Sequence, residues 1–71
     1  MSVGTRLREL REAHSLSQEA LAERAGVHRN TVSDIERDQA SATVRVLTKL
    51  ADALDVQPHE LLTHTPEAVA S

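Results

Sequence analysis

Arg29, Asn30, Ser33, Asp34 and Arg37 fall on one side of a short stretch whose other side carries Val32 and Ile35. Two of these polar side chains can make paired hydrogen bonds. The Arg29 guanidinium can donate two in parallel, which suits guanine O6 and N7. The Asn30 carboxamide donates and accepts at once, as adenine N6 and N7 require, and each such pairing is worth about 1–3 kcal/mol of discrimination. Arg29 can equally clamp a phosphate, because it stands near a helix start. Asp34 can accept from cytosine N4 and reject wrong sequences, or it can simply pair with Arg37. Gln18, His28, Thr31 and Ser33 suit phosphate oxygens, and for His28 the alternative is a solvated residue at a helix start.

Other chemistries find less support. His14, His59 and His64 invite a metal, but His59 and His64 are five apart, which does not align them on one helical face, and no carboxylate completes a site. Ser, His and Asp all occur without any sign of a cleft holding a base, an orienter and an oxyanion donor, so no enzyme activity, metal or cofactor is expected. Cysteine is absent, which excludes disulfides and thiolate sites. Phe, Tyr and Trp are also absent, and without aromatic platforms single-stranded nucleic acid is an unsuitable target.

A chain of 71 residues has room for one modest core, so close-packed helices or self-association must supply the rest of its stability. The net charge is −3, yet the first 37 residues balance six Arg against six acids. Arg45 and Lys49 face five acids in the remainder, so the deficit lies in the second half and an anionic partner would meet the first. No apolar run reaches the length of a membrane span, and the start Met1-Ser2-Val3-Gly4 has no signal-peptide core; a cytoplasmic protein without membrane contact is expected.

The elements that must position the polar residues are short helices, since strand-type alternation is nowhere sustained. Val3, Leu7 and Leu10 mark a first helix to about Ala13. Ser17 caps a second from Gln18 to about Ala25, ended by Gly26. A third runs from His28 or Arg29 to about Arg37, and Asp38 to Ala42 is a loop. Thr43 caps a fourth, with Val44, Leu47, Leu50, Ala51 and Leu54 repeating at helical spacing, and Pro58 opens a short fifth to Leu62. Residues 1–62 form the domain, and 63–71, lacking periodicity, are expected to be a mobile tail.

One spacing ties these helices together: Gln18, Ala22, Gly26, Val32 and Ile35. A helix-turn-helix needs a small residue where its helices cross, which Ala22 supplies, and a residue free to take positive φ in the turn, which Gly26 supplies. Val32 and Ile35 then pin the second helix of the pair from beneath, leaving its opposite face to enter a groove about 12 Å wide.

Leu16-Ser17-Gln18-Glu19-Ala20-Leu21-Ala22, Ala25-Gly26-Val27 and Val32-Ser33-Asp34-Ile35-Glu36-Arg37 resemble the Cro/repressor-type helix-turn-helix family, with restriction-modification controller proteins especially similar. The resemblance covers about residues 4 to 62. It implies an all-α, five-helix, lambda-repressor-like domain that binds palindromic double-stranded DNA as a homodimer. It places Gln18, Arg29, Asn30, Ser33 and Asp34 toward DNA and suggests an internal Arg11–Glu36 ion pair. Asp38 stands where the family usually has Gly, and Gln39, Ala40 and Ala42 replace the loop's customary basic residues and Pro.

A transcriptional repressor or autoregulator is the expected function, with Val56, Leu61 and Leu62 as dimer candidates, although Leu61 or Leu62 could equally be core. Activation would need only a patch that touches RNA polymerase. The alternative is a protein-interaction module, an antitoxin-like or anti-activator subunit, that uses the acidic second half.

Overall fold

The computed structural model describes residues 2–40 and 42–62. It contains four α-helices, α1 (Val3–Ala13), α2 (Gln18–Ala25), α3 (Arg29–Glu36) and α4 (Val44–Ala53), followed by a 3₁₀ segment, Pro58–Leu62. The fifth helix expected from sequence is therefore a 3₁₀ turn, since five residues leave no length for an α-helical ladder. The expected tail, 63–71, and His64 within it lie outside the described residues.

Each helix starts on a side chain that accepts an otherwise unpaired N–H. Ser2 Oγ takes Thr5 N–H at 3.1 Å, Ser17 Oγ takes Ala20 N–H at 3.0 Å, and Thr43 Oγ1 takes Val46 N–H at 3.1 Å. At α3 the acceptor is a ring nitrogen: His28 Nδ1 takes Asn30 N–H at 3.0 Å.

The four helices also end alike. Gly26, Ser15, Asp38 and Asp55 all take positive φ, at 71°, 57°, 58° and 59°. The next residue's N–H then returns five positions: Val27 to Ala22, Leu16 to Arg11, Gln39 to Asp34 and Val56 to Ala51, at 2.8 to 3.1 Å. Asp38 thus adopts, at the cost of a strained Cβ, the left-handed conformation that glycine takes most readily.

Leu7, Leu21, Val32, Leu50, Ala51, Leu54 and Leu61 are fully buried, with Ala22, Ile35 and Leu47 nearly so. They form one core in which α2 packs on α3 and α4, α1 packs on α3, and the 3₁₀ segment closes against α1 and α4. Leu61, expected among the dimer residues, has no exposed surface. It is a core residue because the 3₁₀ turn directs it inward, so it offers nothing to a second copy. The side chain of Leu62 lies outside those described.

Gly4, which sequence reasoning passed over, is buried where α1 crosses the end of α3. A Cβ there would collide with the carbonyl oxygen of Ile35 and stand 2.8 Å from that of Glu36 and 2.9 Å from Asp38 Oδ1. Only glycine lets the backbones approach this closely.

Candidate nucleic-acid interface

Pinning of α3 is the basis of the site. Val32 and Ile35 lie in the core, and Glu36 joins them there, 4% exposed. The opposite face carries Arg29 and Asn30, both exposed, and Ser33 and Asp34, half-buried. Among the described residues the side chains of Arg29 and Asn30 make no hydrogen bond or ion pair, so their donors are available to another molecule. Asp34 Oδ1 accepts from Arg37 Nη2 at 3.0 Å, with the two side chains 43% and 60% exposed. Such a surface pair is worth about 0–1 kcal/mol, so Asp34 can leave it readily.

Glu36 is the hub behind this face. Arg11 grips it with a fork, Nε to Oε2 at 2.7 Å and Nη2 to Oε1 at 3.1 Å, which places the suggested ion pair in the structure. Arg11 Nη1 also donates to the Leu16 carbonyl at 2.8 Å, fixing the chain just before α2. Hydrogen bonding to Glu36 raises the Arg11 pKa above its ordinary value; burial opposes the shift, while the charges of Glu36 and Glu12 assist it. A buried carboxylate persists only when paired and fully bonded, and here Arg11 from α1 supplies an opposite charge and two of the hydrogen bonds.

Gln18 is half-buried and donates Nε2 to Glu36 Oε1 at 3.0 Å. The side chain expected at a phosphate is therefore anchored from behind, with one further amide N–H for another acceptor. This tie was not legible in sequence, because it joins residues 18 apart through a carboxylate assigned only to Arg11. His28 is exposed and caps α3 as described, so its Nδ1 accepts and its Nε2 carries the ring proton. Thr31 is half-buried on the first turn of α3.

The remaining candidates stay apart. His14 donates Nδ1–H to the Leu10 carbonyl at 2.8 Å, and no group of three potential metal ligands occurs among the described residues. No helix among the described residues is long and apolar enough to cross a membrane. Val56 is half-buried beside the core, and Val44 on α4 is 80% exposed.

Comparison with known proteins agrees with this geometry. A helix-turn-helix family model matches residues 7–61. The control protein C.BamHI of Bacillus amyloliquefaciens is 40% identical over 63 residues, covering 87% of this chain and 78% of that protein. The chain spans only 40% of the immunity repressor of Bacillus phage phi105, which it also matches. Among solved structures, the restriction-modification controller protein C.AhdI from Aeromonas hydrophila superposes with a TM-score of 0.81 at 49% identity, over 83% of this chain and 89% of that one. The biofilm regulator SinR, solved in complex with DNA, gives 0.80 at 38% identity, over 84% and 97%. With its pinned α3, its left-handed Gly26 and a family match over most of its length, this chain belongs to the helix-turn-helix family of transcriptional regulators.

Proposed function

We propose that this regulator binds double-stranded DNA as a homodimer and represses transcription, its own included, by occupying a palindromic operator. In this reading α3 enters the major groove, with Arg29 and Asn30 on base edges. Asp34 either joins them at a cytosine or keeps Arg37. Gln18, His28, Thr31 and Ser33 hold the flanking phosphates.

The observation that carries the reading is the exposure of Arg29 and Asn30, without intramolecular partners, on the outer face of a helix held rigidly by Val32, Ile35 and Glu36. Similarity to a SinR structure solved with DNA, and to control proteins, supports it. Two-fold symmetry sets the half-site centres about 34 Å apart, one turn of B-DNA. With Leu61 in the core, Val56 remains as the described dimer residue, and Leu62 is retained with it.

Selection of bound duplexes from a random library, followed by titration of the winner against scrambled DNA, tests this. An enriched inverted repeat is the expected outcome. No enrichment by folded protein would refute the reading and favour a protein partner.

A further inference from the structure

Two guanidiniums, those of Arg8 and Arg11, face the one buried carboxylate of Glu36. Arg11 supplies the single positive charge and the forked donors that one carboxylate needs, and Oε1 is already shared by Arg11 Nη2 and Gln18 Nε2. Arg8, on the same helix, brings a second guanidinium: its Nε stands 3.8 Å from Oε1, beyond hydrogen-bond range, and its side chain is 53% exposed. Glu12, the other carboxylate nearby, is 3.9 Å from Arg11 and 63% exposed, while Glu9 faces Arg6 at 3.5 Å. Arg8 therefore makes only a long ion pair to an oxygen whose hydrogen bonds come from Arg11 and Gln18, and it stands half-exposed beside Gln18, because both side chains approach the same oxygen.

We propose that Arg8 is a DNA-backbone contact, holding with Gln18 one phosphate at the junction of α1, α2 and α3. This assignment rests on the DNA-binding reading above. The long ion pair to Glu36 leaves the planar donors of Arg8 unused by hydrogen bonds, and they match the oxygens of an arriving phosphate. The first half of the chain gains from Arg8 the backbone grip that the α3–α4 loop, with Gln39 and Ala40, does not provide.

The test compares the intact protein with its Arg8→Gln and Arg8→Lys variants, measuring affinity for the selected duplex and a scrambled one across a salt series, with thermal melting alongside. Arg8→Gln should weaken both duplexes alike, about fivefold near 0.15 M salt, and reduce the slope of log K against log salt by about 0.9, one phosphate's worth. Its melting temperature should stay unchanged, and Arg8→Lys should restore the slope. An unchanged slope, with or without lower melting, would overturn the assignment and mark Arg8 as a clamp on Glu36, leaving DNA binding intact. Wild-type protein that binds no duplex would overturn the DNA reading and Arg8's place in it together.

Discussion

The side-chain amide of Gln18 donates to Glu36 Oε1 at 3.0 Å, across the seam between the start of α2 and the end of α3. The two helices of the motif are thus joined by a polar contact as well as by Ala22, Val32 and Ile35. Through Arg11, α1 is locked to the same carboxylate. Orientation of the outer face of α3 and stability of the fold share one group.

Glu36→Ala should accordingly cost about 3–5 kcal/mol, because it strands the Arg11 guanidinium, only 12% exposed, without its counter-charge. Replacing both partners with apolar residues, Arg11→Met with Glu36→Leu, should cost less than Glu36→Ala alone. Urea unfolding checks both, and a loss under about 1 kcal/mol for Glu36→Ala would show that the pair contributes little.

His28 caps α3 through a ring nitrogen. His28→Ala should lower stability by about 1 kcal/mol, or roughly 4–8 °C in a domain this small, whereas His28→Asn should preserve it by offering a side-chain oxygen to the same N–H. Equal melting of the Ala variant and the parent would show that the imidazole cap is energetically idle.

Three helix ends hold non-glycine residues at positive φ. Ser15→Gly and Asp55→Gly should each raise stability by up to about 1 kcal/mol, with the smaller gain at Asp55 because Asp visits this region more readily. Gly26→Ala should lower it by about 1 kcal/mol through the backbone alone, since an added Cβ would meet nothing within 4 Å. Denaturant midpoints at constant slope measure all three.

Arg29→Ala and Asn30→Ala should each weaken the preferred duplex by about 1–3 kcal/mol while leaving scrambled DNA and the circular dichroism spectrum unchanged. Equal losses on both duplexes would instead assign these residues to phosphates.

Much of this was legible in the chain. Helical spacing located α1 to α4 within a residue or two, Ser17 and Thr43 announced their caps, and Gly26 announced its turn, because caps, turns and amphipathic faces are local properties of a few consecutive residues. The outward face of α3 was readable for the same reason, given Val32 and Ile35. Tertiary structure alone decided that Leu61 is core, that Gly4 sits against the end of α3, that Gln18 is tied to Glu36 and that Arg8 stands beside them at 3.8 Å from the same carboxylate. Each of those depends on which residues distant in sequence come within a few ångströms, and helical periodicity says which way a side chain points but not what it meets.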